Sequence, residues 1–445
     1  MQMKKLKEER GSMAVYVTIV LFSFLLVLSS IYLSSTSVRK SQLMTVIKVK
    51  ESYETNIKDI EQIYQEQYNK KRKGPNGKPL VTTLTEKQES TVIAEDRLGN
   101  RVVVPGGFKV VAGETVQDGI VIEDDNITTY EDGTTSTGNQ FVWVPVSNID
   151  NSGSNKIKIE NADKTVSEVE ITLGRYAFAG NNASVPGKSI LVQSGADYSA
   201  TTLSTVEEGS VTNYMIGNNF YELKDFREAD QSSSSSKINA TAKDLEEFIE
   251  SVYISKGYYL ARYEASYESG DTFGVGIAPE GKEYYKPASK VSKANSKSSM
   301  NYTAGTLWNF ITEGNASMAS RQMYYGNNFL ESDLCNSYAW DTAIVYIQAM
   351  GNSNYANANT NNTLKNTGET GDEKCHIYDM AGNVRECTTE YTPVVVDNIA
   401  YSCVCRGGVY GNKSRLASGR NGKKENYKGE GYISFRTILY GKLKN

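Results

Sequence analysis

The chain has 445 residues, 39% apolar and 22% charged, enough for a sizeable core and for two or three domains. A formal net charge of −4 gives no whole-chain attraction to nucleic acid, and one histidine with five cysteines in no CxxC pair excludes a zinc site of the usual Cys/His kind. Thirty Tyr and 37 Gly against 8 Pro fit a Tyr-rich β protein with adaptable surfaces.

From Gly11 to Val38 there is no charged residue, a run long enough to cross a bilayer as a helix. Residues 1–38 are therefore read as a cytoplasmic tip and a transmembrane helix, with the large remainder outside the cell. A cleaved secretory signal is the alternative, with Ser29-Ser30 or Ser34-Ser35 as the small-residue exit. Lys4, Lys5, Lys7 and Arg10 precede the run and Arg39, Lys40, Lys48 and Lys50 follow it, so charge nearly balances across it. Glu9 to Met13 resembles a prepilin leader cut after Gly11, although Tyr16 stands where that family has glutamate.

Over residues 39–73 the apolar spacing Val46, Val49, Tyr53, Ile57, Ile60, Tyr64 predicts an amphipathic stalk helix with coiled-coil self-association as its use. Residues 74–98 read as a linker opening on Gly74-Pro75-Asn76-Gly77. From Gly99 onward short apolar runs bounded by Gly, Asn and Asp predict strands at 101–105, 108–111, 119–122 and 141–146, with Pro145 placing the last at an edge or bend. Residues 148–236 read as a polar insertion with strands near 169–173 and 189–192. Helices are predicted at 244–252, capped by Thr241, at 308–311 and at 338–347, and a strand at 258–265.

The carboxyl-terminal part carries an ordered set of motifs. Arg262-Tyr263-Glu264 lies in a strand and Trp340 in a helix. Then come Gly382-Asn383-Val384-Arg385-Glu386 in a turn, Arg406-Gly407-Gly408 in a strand, and Phe435-Arg436. Together they resemble the formylglycine-generating enzyme (sulfatase-modifying factor) family, a variant of the C-type lectin fold, over roughly 139–445. The resemblance implies an α+β, C-type-lectin-like domain at 99–445 with long irregular loops, preceded by the transmembrane and stalk helices. That family's copper oxidase uses two cysteines beyond the double glycine, but Val409 to Ala417 holds no sulfur. Its iron-dependent relatives use three histidines, which this chain lacks. Arg385 and Cys387 stand where the family's turn has tryptophans.

Asp379 and Glu386, with the carbonyls of Gly382 and Val384, form an oxygen set suited to calcium, as the resemblance also implies. The competing reading pairs Glu386 with a nearby arginine. Tyr410, Asn412, Lys413, Arg415, Arg420, Asn421 and Tyr427 are the expected ligand-binding face, in the region where variable proteins of diversity-generating retroelements change their residues. Ten Lys/Arg against two acids in 401–445 point to an anionic extracellular ligand. The expected protein is a catalytically silent binding module on the cell surface. The alternatives are an enzyme with a displaced metal site, formylglycine-generating or other, and a minor-pilin-like structural protein.

Overall fold

The computed structural model describes residues 72–147, 156–179 and most of 245–443, with short segments between 15 and 58 and between 190 and 239. Two compact units divide after Arg72. In the first, residues 15–23 and 47–52 are helical, while 24–43, which hold most of the charge-free run, lie outside the described residues, as does most of the expected stalk face. Among the described residues no helix is long and apolar enough to cross a membrane.

The second unit, Lys73–Asn445, is mixed α/β and mostly sheet. Residues 74–98 are built into it. The Asn76 and Lys78 amides donate to the Glu95 carboxylate at 2.8 and 3.0 Å, Val81 is fully buried, and Val92–Glu95 pairs antiparallel with Arg101–Val104. A buried carboxylate and a core valine thus turn a stretch with linker composition into structure.

The main sheet has six strands: β1 (Lys109–Ala112), β2 (Val121–Glu123), β3 (Gln140–Pro145), β4 (Gly257–Ala261), β5 (Leu330–Leu334) and, after four strands of a second sheet, β10 (Thr437–Gly441). Their order is β5-β10-β4-β3-β2-β1, and every neighbouring pair is antiparallel. Strand β3 is central and buried at all six positions, so of the edge or bend expected from Pro145 the edge is excluded. Pro145 escapes the rule because it is the last residue of the strand, opposite Gly257. A side chain at Gly257 would sit 2.4 Å from the Trp143 ring, so the glycine leaves the space that the ring fills. Trp143 in turn packs on its cross-strand partner Tyr259, centroids 5.0 Å apart.

Among the described residues three helices cover this sheet. Helix α1 (Leu245–Ser255) lies on β4 and β10, where Phe248 meets Tyr258 and Tyr440 edge-on; its expected cap, Thr241, lies outside the described residues. Helix α2 (Glu313–Gln322) begins after Thr312, whose hydroxyl accepts from the Asn315 amide. The helix expected at 308–311 is not there: Thr306–Leu307 is a strand and Phe310 has φ +58°, a left-handed conformation that breaks a helix. Helix α3 (Ser337–Ala349) is capped by Asn336 and buried continuously from Ser337 to Ile347.

The second sheet holds β6 (Arg385–Thr388), β7 (Cys403–Arg406), β8 (Arg420–Lys423) and β9 (Ile433–Phe435), in the order β8-β7-β6-β9 with β6 and β9 parallel. It carries most of the motif residues. The described parts of the expected insertion include two hairpins, Ile157–Glu160 with Val166–Val169 and Tyr176–Ala179 with Ile190–Gln193.

Candidate functional site

The motifs converge on the turn between residues 379 and 386. Asp379 (φ +67°) and Asn383 (φ +54°) both take left-handed backbone, a conformation Asp and Asn adopt more readily than most residues. Glu264 closes the turn from the strand side: its oxygens accept from Asn383 Nδ2 at 2.6 Å and from the Val384 amide at 2.9 Å. The strand expected at 258–265 ends at Ala261, so Arg262-Tyr263-Glu264 is the bend that follows β4, and that bend and the Gly-Asn-Val turn, far apart in sequence, are two halves of one contact.

Arg436 closes it from below. Its Nε and a terminal nitrogen donate to the two Glu386 oxygens at 2.8 and 2.6 Å, and its remaining donors reach the carbonyls of Ala261 and Tyr378 at 2.8 Å. Burial works against the guanidinium charge, yet Glu386 holds it above its ordinary value. The double glycine completes the corner. Gly407 has φ +87°, and a Cβ on Gly408 would lie 2.2 Å from the Ala381 carbonyl oxygen.

Both carboxylates of the expected calcium set are already engaged by protein donors. Both Glu386 oxygens are committed to Arg436, and Asp379 accepts from the Gly368 amide at 2.7 Å and the Thr370 hydroxyl at 2.5 Å. The fully buried guanidinium of Arg436 already supplies the positive charge a metal would bring. The donor set as arranged does not fit the ion. Among the described residues no group of three or more His, Cys, Asp or Glu is disposed to hold a metal.

Beside the turn lies a buried ionic cluster that sequence reasoning missed. Asp341 of α3 and Glu390 accept from Arg175, Arg406 and Arg420. Burial opposes the charge on Glu390, but Arg420, Arg406 and Arg175 hold its carboxyl down to about 2. Arg420 was expected on the ligand-binding face; it is instead 5% exposed, 2.5 Å from Asp341 and 2.8 Å from Glu390. Arg406 and Arg436 are equally buried. Three of the ten cations counted in 401–445 are thus spent internally, which weakens the case drawn from that count for an anionic ligand at this end. The long-range pairing of Asp341 and Glu390 left no local signal in the sequence.

Three thiols occupy the opposite face of the second sheet. Cys387 and Cys405 are directly paired across β6 and β7 with sulfurs 3.8 Å apart, and Cys403 follows on the same face. All three are at most 4% exposed. Contacts with Cys403 and Cys405, then burial, push the Cys387 thiol well above its ordinary value, so it stays a thiol and not a nucleophilic thiolate. Cys387 joins Trp308 and Phe435 in a small apolar core, and Arg385 lies over the Tyr432 ring at 4.8 Å. These contacts fill the space at the two positions where the family's turn has tryptophans.

The expected binding residues are only partly brought together. The loop after Gly408 is tied down by Tyr410 N to Asn383 O at 2.8 Å and Ala417 N to Ala358 O at 3.0 Å. Between these ties Asn412 and Lys413 are exposed, and Tyr410 and Arg415 are half-buried. Asn421 sits inside the second sheet and accepts from Arg385 at 2.6 Å; Tyr427 lies outside the described residues.

The family model of the sulfatase-modifying factor enzyme 1-like domain matches residues 234–440. The chain carries a sulfatase-modifying-factor-like domain. The match spans α1 to β10 and so takes in both the Glu264–Glu386–Arg436 corner and the ionic cluster of Asp341, Glu390, Arg406 and Arg420. No curated protein and no solved structure matches the chain. Within the sulfatase-modifying-factor-like domain the motif residues Glu264, Glu386 and Arg436 tie the corner together, and of the expected binding residues Asn412 and Lys413 are exposed.

Proposed function

We propose that the chain is a membrane-anchored, surface-displayed binding module whose sulfatase-modifying-factor-like domain, of C-type-lectin type, has no oxidase chemistry. The observation that carries this reading is where the sulfur lies. The loop from Val409 to Ala417 contains no cysteine, Cys387, Cys403 and Cys405 are at most 4% exposed, and Cys387 and Cys405 are packed among apolar side chains. A thiol that must meet a substrate cysteine needs access and thiolate character; none of the three has the access, and the Cys387 and Cys403 thiols are held well above their ordinary values.

The binding face is the tip of the tied loop, with Asn412 and Lys413 exposed and Tyr410 and Arg415 beside them. A loop fixed at both ends presents its tip with little ordering cost, which favours recognition. The charge-free run from Gly11 to Val38 supports the anchor. Incubating the purified full-length chain with a cysteine-containing sulfatase peptide, copper and oxygen is expected to yield no formylglycine. Conversion that disappears in Cys403→Ala or Cys405→Ala would replace this reading with an enzyme working from a displaced thiol site.

A further inference from the structure

A groove lined by none of the motif-corner residues lies on the same unit. The outer face of the Val92–Glu95 and Arg101–Val104 hairpin forms the floor of a groove of about 430 Å³, within the size range of ligand sites. Its far wall is the strand Ile157–Glu160. Asn100 pins that strand in place: Lys158 N donates to its Oδ1 and its Nδ2 donates to Lys158 O, both at 2.8 Å. The groove therefore has a floor and a wall locked by side-chain hydrogen bonds.

Its charge is one-sided. Lys78, Arg101, Lys156, Lys158 and Lys256 line it, against the carboxylates of Glu95 and Glu168. Glu95 is already engaged, accepting from the Asn76 and Lys78 amides and from Asn76 Nδ2 at 2.8, 3.0 and 2.7 Å. Glu160 takes Arg97 and Lys164, neither of which lines the groove. Among the described residues Lys78, Arg101, Lys156 and Lys158 form no ion pair. Arg101 is exposed, and the partial burial of its guanidinium lowers it from its ordinary value, with no carboxylate offsetting that. The floor itself is not polar throughout, since Ile93 stands 42% exposed on it.

We propose that this groove binds an acidic glycan, a sugar chain bearing carboxylate or sulfate groups. The cations meet the acid groups, Arg101 in the two-pronged way a guanidinium matches an oxyanion, while the exposed Ile93 of the floor meets the C–H face of a sugar ring. A bare inorganic anion would use the cations and leave the floor empty. The site is independent of the loop tip at Asn412 and Lys413, so it adds to the proposed binding role and does not depend on it.

The test uses the full-length chain in detergent micelles, titrated calorimetrically with a heparin-derived hexasaccharide, a galacturonate hexamer and neutral maltohexaose. At least one acidic sugar is expected to bind ten-fold or more tightly than the neutral one, with affinity falling as salt rises. Arg101→Glu and Lys158→Glu together should weaken binding at least ten-fold at an unchanged melting temperature. If that pair misfolds, Arg101→Met with Lys158→Met gives the same reading without charge reversal. Lys413→Glu should leave the affinity unchanged. The proposal falls if no acidic sugar binds, if the groove variants bind as wild type does, or if Lys413→Glu abolishes binding. It falls equally if inorganic sulfate competes at matching molarity, or if anionic lipid vesicles are preferred over the sugars.

Discussion

Single residues at the motif corner carry distinct physical duties. Gly408 is there because the Ala381 carbonyl passes where a Cβ would be, at 2.2 Å, and that neighbour is backbone, which cannot swing aside. Gly408→Ala is expected to cost at least 1–3 kcal/mol, the usual penalty of overpacking, and to lower the urea midpoint accordingly. Glu386 and Arg436 are a fully buried, doubly bonded pair. Removing one partner leaves the other charged and buried, so Glu386→Ala is expected to destabilise the domain by about 3–5 kcal/mol. Because the guanidinium already occupies both Glu386 oxygens, chelator and calcium should leave the wild-type melting temperature where it is. A calcium-dependent rise in wild type that is absent from Glu386→Ala would show that the turn holds an ion after all.

At the scale of elements, the ties around the corner make stability depend on pH. Asp372 accepts from the Ala381 amide at 2.6 Å and from the Tyr355 hydroxyl at about 2.9 Å. Burial, with the charge of Asp379 adding to it, still pushes its carboxyl up to about 6, and Glu264 is raised the same way by burial and by Asp379 and Glu386. The folded chain therefore keeps a proton that the unfolded chain has released above about pH 4. Stability is expected to fall as pH climbs from about 4 through 6, by about 3 kcal/mol for Asp372 alone. Glu390, held down to about 2, works in the opposite sense: its contribution is present above about pH 4 and lost as pH drops toward 2. Urea midpoints measured from pH 3 to 8 should peak at about pH 4, and Asp372→Asn should flatten the decline above it.

The same elements mark how far sequence reasoning reaches. Strands with continuous apolar runs and the helix around Trp340 were legible because burial on all sides needs that composition. The motif order led to the right domain family because each motif answers a local demand, a left-handed turn or a close backbone approach. What escaped was set by partners distant in the chain. Pro145 looked like an edge marker until its strand was seen to end there. Arg420 looked like a surface cation until Asp341 and Glu390 closed on it, and Residues 74–98 looked like a linker until Glu95 gathered their amides. Nothing in the sequence near these residues announces the partner.

For the whole molecule, the unit boundary at Arg72 coincides with the basic stretch that ends the expected stalk. If the charge-free run anchors the chain, full-length protein is expected in the membrane pellet after high-salt washing, and a chain starting at Lys73 in the supernatant. Full-length protein recovered as a soluble monomer would end the anchor reading. The strand order holds a further consequence. Strand β10 sits between β4 and β5 and hydrogen-bonds to both, although the ribosome makes it roughly a hundred residues after β5. Until residue 441 has left the exit tunnel, β4 and β5 each present an unpaired edge to the cell. The nascent chain is thus held open by its own topology for the length of its synthesis.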